Sequence, residues 1–327
     1  MFGLFKEKKG INFQEIRKGN IACEKCSKHF SFKDMPPFTM AKCPYCSEYN
    51  FIPCIIRNYC IFKPLGGGGA GHVYKAYDAE LERFVAIKTL RNTSLAEFGN
   101  SDAALAVFLK EYAIGKKMHD HPNICKTFDM FEWNGSSYMV LEFIDGFRLD
   151  KLVAPEHLPS PKDVIYWMKQ ILSVLQHFYN GGYLYRDIKP QNILIAANNT
   201  LKIFDFGLSV KLDELNSNDK LTIEGSPEFN IAPERLNLKK EDMRSEIYGL
   251  GMLMYFCLTG KTFYKANTVE ELIRLHNASL TVSDMSRKMN NVSPLLSAVV
   301  GRMIKKEPEL RYQSYKEVYM VLESLVV

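Results

Sequence analysis

Residues 185–207 read YRDIKPQNILIAANNTLKIFDFG, and the spacing inside this stretch decides how the rest of the chain is read. Asp187 and Asn192 stand five apart. Two short apolar runs follow, Ile193–Ala196 and Leu201–Phe204, around the turn pair Asn198-Asn199. That pattern predicts a β-hairpin, and the hairpin delivers Asp205-Phe206-Gly207. Three oxygen-bearing side chains then converge at one end of a small sheet. Oxygen is the ligand type that Mg2+ takes, usually with waters and nucleotide phosphates. Each carboxylate alone would read as a turn or cap residue; the set does not.

Upstream, Ser160-Pro161-Lys162-Asp163 predicts a helix start, with Ser160 as N-cap and Pro161 in the first helical position. Apolar residues recur at Val164, Ile165, Met168, Ile171, Leu172, Leu175 and Phe178 until Gly181-Gly182 stops the helix. Further back, YCIFKPLGGGGAGHVYKAYD from Tyr59 reads strand, glycine turn, strand. Gly66, Gly68 and Gly71 let backbone N–H groups approach phosphate oxygens. A dinucleotide fingerprint would need a helix next; His72 to Ala76 continues instead as a strand. Val85-Ala86-Ile87-Lys88 follows, an apolar strand ending in one lysine that can reach a bound phosphate. A helix is expected from Ser101 or Asp102 to Met118, with Leu105, Phe108, Leu109, Tyr112 and Ile114 on its apolar side. Glu111 falls near that face and is the carboxylate best placed to partner a buried lysine.

The head of the chain carries different chemistry. Six of the eight cysteines lie between residues 23 and 60. Cys23-x2-Cys26, a gap of sixteen residues, then Cys43-x2-Cys46 is four-cysteine zinc spacing. Four thiolates close the coordination shell, which makes the Zn2+ structural, and metal binding would supply the folding free energy of so short a segment. The aromatics Phe30, Phe32, Phe38, Tyr45, Tyr49 and Phe51 are expected to form the core of this module, separate from the core of the larger domain after it. The stretch around Pro36-Pro37 suits a two-stranded ribbon. Cys54 and Cys60 read as apolar residues.

With 327 residues, 46% apolar and 24% charged, the chain is globular rather than collagenous or unfolded. The net charge of +5 sits wholly in residues 1–58, which hold ten Lys/Arg against five Asp/Glu; the remainder holds 32 of each. Four thiolates on one dication would lower the head to about +3, which weakens a nucleic-acid reading. The longest apolar run, Gly249 to Gly260, is twelve residues with three glycines and predicts a buried helix, not a membrane span. MFGLFKEKKG lacks the apolar run of a secretory signal. The expected compartment is the cytoplasm, where thiols stay reduced.

On the motifs LGGGGAGHV, VAIK, YRDIKPQN, DFG and IAPE, residues 59–327 resemble the eukaryotic-like (Hanks-type) Ser/Thr protein kinases, in their bacterial form. The resemblance implies an α+β fold: a small β-rich N-lobe, about 59–142, and a large helical C-lobe, about 146–327. A basic segment, 1–20, and the zinc-ribbon-like module, 21–52, precede it. It implies transfer of the γ-phosphate of ATP, with Mg2+ or Mn2+, to Ser/Thr hydroxyls of protein substrates. By resemblance, Gly66, Gly68 and Gly71 cover the ATP phosphates, and Lys88, held by Glu111, binds the α- and β-phosphates. Val73, Ala86 and Leu194 sandwich adenine; Leu141 is the gatekeeper and Glu142 to Ile144 the hinge. Asp187 accepts the substrate proton, Lys189 steadies the γ-phosphate, and Asn192 and Asp205 hold Mg2+. Glu234 is expected to pair with Arg311. By resemblance, Thr222 is the expected phosphorylation site of the activation segment and Arg186 the residue that binds its phosphate, with Ser209, Ser217 and Ser226 as competing acceptors.

The chain departs from the family pattern at named places. Tyr185 stands for the usual His and Glu246 for the usual Asp. Gly115 stands where a Leu or Met usually completes a packed spine; HDHPN and GSPEFNIAPE are each one residue longer. Two other classes compete with an active kinase. A pseudokinase scaffold would keep the fold but not the full set Lys88, Asp187, Asn192 and Asp205, which is complete here. A small-molecule phosphotransferase typically lacks a recognisable activation segment, which Asp205 to Glu234 supplies. The zinc head is read as a localising module, through protein or weak nucleic-acid contact.

Overall fold

The computed structural model describes residues 13–68, 71–90, 101–215, 231–237, 240–266, 268–278, 289 and 292–325. The chain divides into two compact units, one over Met1–Leu105 and Phe128–Phe143, the other over Ala106–Thr127 and Ile144–Val327.

In the first unit each CxxC turn sits inside its own two-stranded ribbon. Strands β1 (Asn20–Ala22) and β2 (His29–Ser31) flank the first turn; β3 (Met40–Lys42) and β4 (Tyr49–Phe51) flank the second. The two turns repeat one geometry. Ser27 and Ser47 donate from their amides to the Cys23 and Cys43 carbonyls at 2.9 Å each, with φ of 60° and 61°. The expected single ribbon is therefore two, and Pro36-Pro37 lies between them.

Strand β5 (Cys54–Ile56) then opens a six-stranded sheet with β6 (Tyr59–Gly68), β7 (Gly71–Asp78), β8 (Arg83–Leu90), β9 (Thr127–Trp133) and β10 (Ser136–Glu142). Their order is β5-β6-β7-β8-β10-β9. Alternation along a strand sends successive side chains to opposite faces, so the register sorts the residues. Val73 pairs with Lys88 and Lys88 with Met139; Lys75 pairs with Ala86 and Ala86 with Leu141. These share one face. Tyr74, Ile87 and Val140 are paired on the other, where they join Ile56, Ile61, Ala76 and Val85 in one buried cluster.

The aromatics of the head do not share one core. Only Phe30 is buried with Cys23 and Cys43. Phe38 and Phe51 pack instead on the cluster around Tyr74, with ring centroids 5.1 and 5.7 Å from it. Tyr45 and Tyr49 are exposed. The expected separation of cores is corrected accordingly: Phe38 and Phe51 leave the small thiol cluster to cover the sheet, which has the larger apolar face to bury.

The second unit is helical. Ser160 caps the helix Pro161–Asn180 by accepting from the Asp163 amide at 3.1 Å, and Gly181 ends it. The apolar run at Gly249 lies in the helix Met243–Thr259, buried on almost every side and closed by Gly260 at φ 68°. A Cβ at Gly260 would also sit 2.7 Å from the Pro155 nitrogen, so a glycine is required there. Strands β11 (Gly146–Arg148), β13 (Ile193–Ala196) and β14 (Leu201–Ile203) form the expected hairpin with one added strand. Strands β12 (Tyr183–Leu184) and β15 (Val210–Lys211) pair separately. Among the described residues no helix is long and apolar enough to cross a membrane.

Candidate active site and metal centre

In the second unit the turn after β12 gathers the charged residues. The Lys189 ammonium lies 2.7 Å from Asp187 Oδ2. Asn192 Nδ2 donates to the same oxygen at 2.6 Å and to the Asp187 carbonyl at 3.2 Å. Asp187 and Asn192 are both buried. Asp205 follows β14 at φ 67°, and Arg186 holds φ 68°. Left-handed backbone at non-glycine residues persists only where the surroundings over-determine it, and it concentrates at functional sites. Phe206 is buried with its ring 5.6 Å from Phe178 and 6.2 Å from Tyr185. Tyr185 thus packs as an aromatic, and its hydroxyl donates to the Phe204 carbonyl at 2.9 Å. Both ends of the Asp187–Asp205 stretch are in this way tied to one apolar column.

Glu246 anchors the loop from below. Its Oε1 accepts the amides of Tyr185 and Arg186 at 2.8 and 2.9 Å, and its Oε2 accepts the Tyr315 hydroxyl. The longer side chain therefore makes the backbone bonds expected of an aspartate. Desolvation lifts its carboxyl from 4.5 to about 7, against the lowering effect of the Tyr315 hydroxyl and the two amides, while nearby Glu241 adds to the rise. The folded state then binds this proton more tightly than the unfolded chain, so stability falls as pH rises through that window. Glu246→Gln keeps an acceptor for the amides and a donor for Tyr315. Its stability relative to wild type should be level below the window and about 3 kcal/mol higher above it, at about 1.4 kcal/mol per unit. Urea unfolding from about pH 4, below the window, to about pH 8, above it, measures the difference.

Arg186 and Glu241 form an ion pair at 2.6 Å, both largely buried. No signal in the sequence marks Glu241, which sits in the polar run KKEDMRSE fifty-five positions away. Thr222, Ser217 and Ser226 lie outside the described residues; Ser209 is buried, with its hydroxyl donating to the Tyr185 carbonyl at 3.2 Å. At Gly115 no void stands in for the missing Leu or Met. A Cβ there would come 2.3 Å from Thr127 Oγ1 and 3.4 Å from Phe206, so these two residues occupy the space against the helix backbone. Glu234 and Arg311 form the expected pair, both buried, at 2.7 Å.

In the first unit, β6 and β7 form the hairpin that carries Gly66, Gly68 and Gly71, with Gly66 opposite Val73. Gly71 has φ 145°, and a Cβ there would meet the Thr89 carbonyl at 2.3 Å. Val73, Ala86, Lys88 and Leu141 share one face of the sheet by register. Glu142 ends β10, and the chain passes between the units at Phe143 and Ile144. Lys88 is half-buried. In the second unit, Glu111 is buried on the helix Ser101–Met118 and Leu194 lies half-buried on β13.

The four head cysteines cluster, with their sulfurs all within 4.8 Å of one another. Cys23 Sγ lies 3.5 Å from Cys46 Sγ, and Cys26 Sγ 3.8 Å from Cys43 Sγ. A tetrahedron with zinc–sulfur bonds of about 2.3 Å has edges of about 3.8 Å, so the cluster fits the ion. Its electrostatics point the same way. The Cys26 amide leads the groups that pull the Cys23 thiol down to about 6. Cys46, despite the lowering Glu48 amide, is pushed up to about 12 by desolvation and its three thiol neighbours. Four crowded sulfurs ionise together only around a cation. Cys54 and Cys60 stand outside this cluster; burial pushes the Cys60 thiol up to about 12, as for an inert apolar residue.

Comparison with known proteins covers the same span as the motifs. The family model for the protein kinase domain matches residues 59–321. The probable serine/threonine-protein kinase PknB of Lactococcus lactis is 30% identical over 260 residues, 79% of this chain and 40% of that protein. The serine/threonine-protein kinase PrkC of Bacillus subtilis is 29% identical over 264 residues, 80% and 40%. PknB of Mycobacterium leprae is 29% identical over 270 residues, 81% and 42%. The chain thus spans about 40% of the length of these curated relatives. With the loop of Asp187, the hairpin to Asp205 and the Glu234–Arg311 pair all in one unit, the match has its physical counterpart, and the chain belongs to the protein kinase family.

Proposed function

We propose that the chain is an ATP-dependent serine/threonine protein kinase. The observation that carries this reading is the cluster of buried Asp187 and Asn192 with half-buried Lys189. Asp187 takes the proton of the substrate hydroxyl. Lys189 and Asn192 hold its carboxylate in one orientation before substrate arrives, so no reorganisation is needed at the moment of transfer. Lys189 also offers a positive charge where the γ-phosphoryl group gathers negative charge. Asn192 and Asp205 present the oxygens that would hold Mg2+, which when bound neutralises the nucleotide phosphates. On the sheet, Val73 and Ala86 supply an apolar wall for adenine beside Lys88, and Gly66, Gly68 and Gly71 supply backbone bare of side chains over the phosphates. The names of the bacterial relatives support Ser/Thr acceptors in protein substrates. Cys23, Cys26, Cys43 and Cys46 hold one structural Zn2+.

Incubation of purified protein with MgATP and a generic phosphoacceptor protein, read by intact mass and phosphosite mapping, tests this. Phosphoserine or phosphothreonine should appear on the chain or the acceptor. Metal analysis of the same sample should give one zinc per chain, lost in Cys43→Ser. ATP binding without any transfer would favour the scaffold reading instead.

A further inference from the structure

We infer that the cysteine head positions the phosphate hairpin: Phe38 and Phe51, fixed by the thiolate centre, clamp Tyr74 on the sheet face opposite Lys88, and so set the chain's affinity for MgATP. The inference rests on the kinase reading for the identity of the nucleotide and on the first unit alone for its geometry.

Tyr74 lies on β7, the second strand of the glycine hairpin, between Pro64 on β6 and Ile87 on β8. It is buried, and its ring is 5.1 Å from Phe38 and 5.7 Å from Phe51. Phe38 and Phe51 also meet each other edge-on at 6.4 Å. Both belong to the second knuckle. Phe51 ends β4, and the ribbon β3–β4 carries Cys43 and Cys46 at its turn. Phe38 stands just before β3 with φ 63°, a conformation that is an outlier for so bulky a residue. Two backbone bonds hold it there: Phe38 N–H to the Ile52 carbonyl at 3.0 Å, and Ile52 N–H to the Thr39 carbonyl at 2.8 Å. A strained backbone needs surroundings that over-determine it. Here the surroundings are strands of three residues each, which hold a fold only when metal ties them.

The contact continues into the glycine turn. His72 lies two residues before Tyr74, hence on the same face, with its ring 6.2 Å away. Gly67 pairs with His72, and a Cβ at Gly67 would meet His72 Nδ1 at 2.3 Å. The imidazole therefore covers Gly67. Strand β6 is irregular here, with register shifts between Ile61 and Lys63 and between Pro64 and Gly66. Each shift interrupts the ladder locally, so the packing on Tyr74 adds to what the remaining pairs do to hold the glycines in place. A hairpin already ordered gives up less conformational freedom when phosphates bind, and the affinity is higher by that difference. Phe38, Phe51 and Tyr74 are positioning residues: they touch the face away from the nucleotide and act through the hairpin.

The test uses the full chain, zinc-loaded and after stripping with a thiol-directed zinc chelator, at constant excess Mg2+. MgATP affinity is read by titration with a fluorescent ATP analogue, and hairpin order by amide exchange over residues 71–78. Stripping should weaken MgATP about tenfold, within the roughly 5- to 150-fold span of couplings between sites. The kcat at saturating MgATP should stay within about twofold, because the acid–base residues are untouched. Phe38→Leu with Phe51→Leu should keep zinc, reproduce the weakening, and respond no further to stripping. Tyr74→Leu, outside the head, should do the same, which guards against misfolding of the head in the first variant. Stripping that leaves both affinity and exchange over 71–78 unchanged overturns the inference, as does a zinc-retaining double variant with wild-type affinity. A zinc-loaded wild type that binds no MgATP sinks the kinase reading; the positioning is then decided by exchange alone, faster on stripping upholding it and unchanged overturning it.

Discussion

Asp187→Asn is expected to lower phosphoryl transfer at least about 100-fold, the scale of a lost general base. The substitution keeps the size of the side chain, so the loop should fold. What changes is chemistry. Oδ2 of Asp187 now accepts from Lys189 Nζ at 2.7 Å and from Asn192 Nδ2 at 2.6 Å. An amide nitrogen in that place would face two donors, and an amide oxygen would leave Lys189 without its counter-charge. Neither form takes a proton from a hydroxyl. Asp205→Asn should give a loss of similar size by a different route, through weaker hold on the metal, and should be partly relieved at high Mg2+, whereas Asp187→Asn should not. Single-turnover rates at several Mg2+ concentrations separate the two. Wild-type rates in both variants would remove these residues from the mechanism.

Arg311→Met should destabilise the second unit by about 3–5 kcal/mol, the penalty for breaking a buried ion pair. Arg311 is fully buried, and each of its five N–H groups has an acceptor. Two go to the Glu234 carboxylate at 2.7 and 2.8 Å; the others go to the carbonyls of Arg244, Lys305 and Lys306. Removing the guanidinium leaves a carboxylate in the interior with the Ser245 hydroxyl still donating to it but no counter-charge in the pair. Adding Glu234→Gln should recover part of the loss, because the stranded charge is gone although the carbonyls are still bare. Arg311→Lys should recover little, since an ammonium cannot make the two-pronged bond. Urea midpoints for the four proteins decide it; an Arg311→Met midpoint within error of wild type would show that the pair contributes nothing.

The parts of this fold that were legible in sequence are those where local chemistry dictates spacing. Ser160-Pro161 marked a helix start and Gly181 its end because caps are local. The five-residue step from Asp187 to Asn192, and the hairpin to Asp205, could be read because that geometry is made within one short loop. The cysteine pairs were legible for the same reason. What escaped was set by distant partners. Phe38 and Phe51 look like core residues of the head, but nothing in their neighbours reveals that their rings end on Tyr74. Gly115 read as a missing side chain; only packing reveals that Thr127 and Phe206 have closed the space. Glu241 is one acid among several charged residues until the fold brings Arg186 to it.

Strand β5, which pairs along β6, bears on where this domain can be cut. The family match starts at Tyr59, but Cys54–Ile56 pairs with β6 upstream of that point. A fragment beginning at Tyr59 would turn β6 into a bare edge with its amides and carbonyls unpaired. It would also strip Phe38 and Phe51 from Tyr74 and bring an apolar sheet face to water. Exposed edges and apolar faces of that kind drive chains to pair with one another and precipitate. A fragment that stays in solution is therefore expected to begin before Phe38, on the far side of the second cysteine pair, and not at Tyr59 where the homology begins.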